Sequence, residues 1–162
     1  MSPLEDRLRH LLQSLLTRFG GAVEFWTVAC TSRGDLGDPN QSVDAQWAAL
    51  FTDVHDVRVL LAELPYEPQP VVHEQVARLM NLCSDLRDLF DTFLRVEAAD
   101  PDRAEAAVAR LANLWKEARL RVALLAATLP LSAPLPGITL EQEAYYQGIL
   151  DGLFDRLTAA NP

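Results

Sequence analysis

Cysteine, histidine, glycine and lysine are all scarce in this 162-residue chain, and each scarcity removes a class of chemistry. Two cysteines, Cys30 and Cys83, supply neither a disulfide framework nor a Cys-x-x-Cys pair. Both sit among apolar neighbours, where a free thiol behaves as a small hydrophobe. Neither has a basic or histidine partner close in sequence to make it a nucleophile. The three histidines form no His-x-x-x-His, Glu-x-x-His or zinc spacing. The seven glycines form no GxGxxG, Walker or GxSxG loop. No cofactor is expected. Long apolar runs are missing too: the richest, Leu120 to Leu131, is broken by Arg121 and closed by Pro130. A membrane span needs about 20 apolar residues, so none is expected. The first residues lack the basic-then-apolar pattern of a secretory leader, which makes the cytoplasm the expected compartment.

Positive charge is also in short supply. The chain carries 23 acidic and 14 basic residues, for a net charge of −9. That balance argues against a nucleic-acid backbone and against an anionic membrane surface as partner. The excess is local: residues 35–100 hold thirteen acidic and four basic residues, while the rest of the chain balances. Of the basic residues only Lys116 is lysine, an arginine bias that a GC-rich bacterial genome would give.

What is abundant is helical periodicity. Apolar residues at three- and four-residue spacing predict five helices. The first covers Pro3 to Phe19, opened by a Ser2/Glu5 capping box and ended by Gly20-Gly21. The second covers Ser42 to Leu64 and stops at the turn Pro65 to Pro70. The third covers Val71 to Glu97. The fourth starts at Asp100-Pro101, an N-cap and first-turn proline, and extends to Leu129. The last runs from Thr139, with Gln142 completing a capping box, to about Ala159. Residues 22–31 alternate apolar and polar, but no second strand exists to pair with them. A short helix or an extended tuck is expected there rather than a strand paired across a dimer. The third and fourth helices share seven of twelve residues between Val76–Arg87 and Val108–Arg119, which two Leu/Ala/Arg helices can share by chance. The expected fold is one all-α domain, 1–162: an antiparallel bundle of four to five long helices around a hairpin over 71–129. A mobile loop at 32–41 and an apolar, proline-containing linker at 130–138 complete it.

Candidate functional residues fall into three groups. His55-Asp56 resembles the dipeptide with which helical HD-type phosphohydrolases hold a metal, although a boundary histidine beside a solvated aspartate explains it as well. Asp85, Asp88 and Asp91 recur every three residues on the outward side of the third helix, as a solvated face, an acidic docking surface or a divalent-ion site. Ala144, Gly148 and Gly152 form a small-residue stripe. Helical glycine costs about 1 kcal/mol relative to alanine, so close approach of another helix, in the same chain or in a second subunit, would give it a reason. Leu120 and Leu124 lie opposite Val122 and Leu125, so that end of the fourth helix must be central in the bundle or covered by a partner. Trp47, Arg58 and Trp115 are candidates for the wall of a ligand pocket, Arg58 because it falls within the second helix's apolar stripe. The expected function is a non-enzymatic interaction, scaffold or regulatory protein, a homodimer with an acidic face for a basic protein partner. The alternatives are a metal-dependent helical hydrolase of phosphorylated substrates and a small-molecule-binding regulatory bundle.

Overall fold

The computed structural model describes residues 3–31, 39–94, 101–131 and 133–159, with backbone only at 25–31, 39–44, 90–94, 101, 103–104 and 153–159. These residues form five helices and no strand: α1 (Pro3–Thr31), α2 (Pro39–Ala62), α3 (Pro70–Leu94), α4 (Pro101–Thr128) and α5 (Leu140–Ala159). Four of the five open on proline, whose fixed φ suits the first helical position and whose missing N–H is no loss there. That preference moves the start of α2 back from the expected Ser42 to Pro39. The 32–38 part of the expected mobile loop, Ser2, Asp100 and residues 95–97 lie outside the described residues.

α1 corrects the sequence reading most. Gly20-Gly21 does not end it, and residues 22–31 are neither tuck nor strand but the continuation of a 29-residue helix about 43 Å long. Val23 and Ala22 are buried on the same side as Phe19, so the apolar stripe carries the helix through two weak formers. Gly20 has a packing reason of its own, given below.

Helices α1 to α4 pack side by side in a ring, each against its chain neighbour and α4 back against α1. The run is up-down-up-down. Asp53 of α2 meets Ser14 and Arg18 of α1, while the later Asp56, Val59 and Leu60 meet the earlier Arg7, His10 and Leu11. Gln75 meets Arg121 across α3 and α4, the most extensively packed pair and the expected hairpin. α5 lies outside the ring, in the furrow between α1 and α4. Buried residues from all five helices form one apolar cluster, with Leu8, Leu12, Leu15, Leu50, Leu79, Leu89, Leu111 and Leu125 fully enclosed.

Candidate interaction surface

The segment between α4 and α5 sets up one side of the molecule. Pro130 follows the last turn of α4, and Leu131, Leu135 and Ile138 turn inward against the core. Gln13 of α1 clamps Gly137 with both ends of its amide: Nε2 donates to the Gly137 carbonyl at 3.0 Å, and the Gly137 N–H donates to Oε1 at 2.9 Å. Gly137 has φ +72°, a left-handed conformation that glycine adopts without Cβ strain. Arg9 Nε donates to the Pro134 carbonyl at 3.1 Å, so the segment is tied along α1 at two points.

α5 then starts on the predicted capping box. The Thr139 N–H donates to Gln142 Oε1 at 3.0 Å and the Gln142 N–H donates to Thr139 Oγ1 at 3.1 Å. One turn later Tyr146 lays its ring on Gly20. A Cβ at Gly20 would stand 2.5 Å from the tyrosine Cζ and 2.6 Å from its hydroxyl, so any larger residue must displace the end of that ring. Tyr146 also meets buried Trp115 edge-to-face, centroids 5.2 Å apart. The Arg119 guanidinium sits 5.5 Å from the Trp115 centroid and pairs with Glu143 at 3.2 Å. The Tyr145 hydroxyl donates to Glu24 Oε1 at 2.8 Å, and that bond to a carboxylate raises the phenol above its ordinary pKa. Burial raises Tyr146 likewise.

Where α5 stops covering the furrow, a cleft of about 600 Å³ opens between α1, α4 and the clamped segment. Its walls are mainly apolar, including Leu16, Leu120, Ala123, Ala126, Leu135 and Ile138, and Lys116 and Arg119 stand on its border. Leu120 is 50% exposed and Leu124 half-buried, so this end of α4 lies at the surface rather than at the centre of the bundle. On α5, Leu140 is 85% and Tyr145 53% exposed. The small-residue stripe faces outward too: Ala144 and Gly148 are exposed, Gly152 is half-buried, and nothing stands within 4 Å of an added Cβ at either glycine. No described helix of this chain uses the stripe for close approach.

The other candidates are not gathered into a site. Asp85 and Asp88 are exposed on α3, and Asp85 borders a shallow cleft with Arg110 of the neighbouring α4, while the Asp91 side chain lies outside the described residues. His55 is exposed. Asp56 is half-buried and lines a cleft with Arg7 and His10 of α1, where the His10 ring N–H donates to the Asp6 carbonyl at 2.8 Å. Among the described residues no three His, Cys, Asp or Glu side chains converge as metal ligands. Trp47 and Trp115 share no wall. Trp47 stacks on Phe51 and donates its indole N–H to the Cys83 carbonyl at 3.0 Å, tying α2 to α3, whereas Trp115 is buried between α4 and α5. Arg58 is exposed, because the buried stripe of α2 runs through Leu50, Val54, Val57, Leu60 and Leu61 and leaves it outside. Burial pushes the Cys83 thiol up to about 12, which keeps it protonated and unreactive at neutral pH.

Two buried polar arrangements escaped the sequence reading. Asp53 is nearly buried, pairs with Arg18 and accepts a hydrogen bond from Ser14 Oγ at 3.3 Å. Its signal was position: it lies three residues after Leu50 and four before Val57, inside the α2 stripe. Buried Gln75 accepts from Arg121 Nη1 at 3.1 Å, and Arg121 also pairs with Glu117 at 3.2 Å. Both arrangements tie neighbouring helices in one register.

No protein-family model matches the chain, and no curated protein or solved structure is significantly similar to it. No helix among the described residues is long and apolar enough to cross a membrane.

Proposed function

We propose that the chain is a non-enzymatic interaction or scaffold protein that forms a homodimer through its α1–α4–α5 side. One observation carries this reading: an open apolar cleft with the exposed Leu120 in its wall lies on that side, and α5 adds Leu140 and Tyr145, two further exposed large apolar side chains. Contiguous exposed apolar surface, such as the wall of this cleft, marks association sites. Charge supports the same choice. Two copies repel through their total charge of −9 each, but the acidic excess belongs to residues 35–100, and α1, α4 and α5 come from the balanced remainder. Docking by these helices brings the least like charge together. The exposed Asp85 and Asp88 on α3 stay available to a basic protein partner.

Multi-angle light scattering on the purified chain tests the reading. The expected result at micromolar concentration is twice the chain mass. A strict monomer overturns it.

A further inference from the structure

We propose that the dimer contact is a reciprocal plug: Leu140 of each copy seats in the α1–α4 cleft of the other, with Glu141 facing Lys116 across the rim. This rests on the homodimer reading and names its contact.

Leu140 is the most exposed large apolar residue described, at 85%. It is also held rigidly. The Thr139–Gln142 capping box precedes and follows it, and the Gln13–Gly137 clamp fixes the backbone three residues before it. A preorganised plug loses little freedom on docking, which favours binding. The cleft offers what the plug lacks: apolar walls from Leu16, Leu120, Ala123, Leu135 and Ile138, and a volume of about 600 Å³ open to solvent.

Plug and socket are neighbours on one surface, since Ile138 lines the cleft and Leu140 is two residues on. A twofold axis passing between them exchanges both at once. The contact is then isologous and closes as a dimer instead of growing as a filament. Charge complementarity selects a second copy as the occupant. Lys116, the chain's one lysine, is exposed on the cleft border with no ion-pair partner among the described residues. Glu141, next to the plug, is likewise exposed and unpaired among the described residues, whereas Glu143 is engaged by Arg119. The same short stretch therefore carries an apolar knob and the anion that Lys116 calls for.

Sedimentation velocity over a dilution series of the full chain tests the plug, with circular dichroism confirming that each variant keeps its helices. Leu140→Asp is expected to raise the dimer Kd by roughly a hundredfold or more, because the reciprocal contact loses two buried leucines at once. Lys116→Glu and Glu141→Lys are each expected to weaken the dimer a few-fold, and the double reversal to recover most of that loss at low salt. A wild-type dimer that Leu140→Asp leaves intact overturns the plug while the homodimer stands. So does a dimer insensitive to Leu140→Asp but broken by Gly148→Leu, which moves the contact to the outer stripe of α5. Failure of the double reversal to recover affinity overturns the pairing. Native mass spectrometry showing a monomer with a small molecule retained overturns both the plug and the homodimer reading.

Discussion

The α2–α3 side and the α1–α4–α5 side are built from helices of similar length, yet they are finished in opposite ways. On α2 and α3, exposed Asp85, Asp88, His55 and Arg58 meet water. The exposed Val59 borders a cleft whose other walls include Arg7, His10 and Asp56, so it stands among charges. On the opposite side a fifth helix is added over α1 and α4, and the surface still exposes Leu120 in the wall of an apolar cleft and Leu140 and Tyr145 on α5. A four-helix ring already encloses a core. α5 buries Leu150 and lodges Tyr146 but leaves its stripe of Ala144 and Gly148 open. The difference teaches that the additional helix is not there to finish the core. It reshapes one face, while the acidic charge is concentrated on the other.

The sharpest way to break that contrast is to remove the residue on which α5 rests. Trp115→Ala is expected to cost about 3–5 kcal/mol in urea unfolding. It should also render residues 140–159 sensitive to protease before the rest of the bundle. If α5 stays as resistant as in the wild type, its docking does not depend on the Trp115–Tyr146 contact. Next in size is a comparison of adjacent glycines. Gly21 has open space where a Cβ would go, so Gly21→Ala is expected to stabilise the chain by up to about 1 kcal/mol through helix propensity. Gly20→Ala drives its Cβ into the Tyr146 ring, and overpacking of that kind typically costs about 1–3 kcal/mol. Equal melting temperatures for the two variants would show that Tyr146 moves aside freely. The smallest effect belongs to the acidic side. Asp85→Asn with Asp88→Asn is expected to change stability by no more than about 0.5 kcal/mol and to leave the proposed dimer contact unchanged. A larger loss would mean that these carboxylates hold the bundle together.

Helix positions were largely legible because apolar spacing and caps are local signals. Thr139 and Gln142 form the predicted box, and Leu8, Leu12, Leu79, Leu86, Leu111 and Val122 face inward as their spacing requires. Gly20-Gly21 was misread for a physical reason. Locally, two glycines weaken a helix, but the first exists to admit an aromatic ring from a residue 126 positions away, which no window of sequence contains. Arg58 falls in the spacing of an α2 stripe that joins half-buried Trp47 and Phe51 to buried Leu50, Val54 and Leu61, but the structure turns it outward and gives Asp53 a core position instead. The candidate surface was half visible. The excess apolar character of α4 and the open stripe of α5 were in the pattern, but the cleft depends on Gln13 holding Gly137.

That clamp also acts as a ruler. With Gly137 fixed on Gln13 and Tyr146 in the Gly20 notch, the spacing between residues 137 and 146 is measured against the fixed spacing of α1. One residue inserted in the first turn of α5 would swing Tyr146 by about 100° around the helix axis and out of the notch. An insertion before Pro134 would leave that spacing unchanged. Evolution could therefore lengthen this connection on one side of the clamp and not on the other, and a family of such chains would show its gaps accordingly.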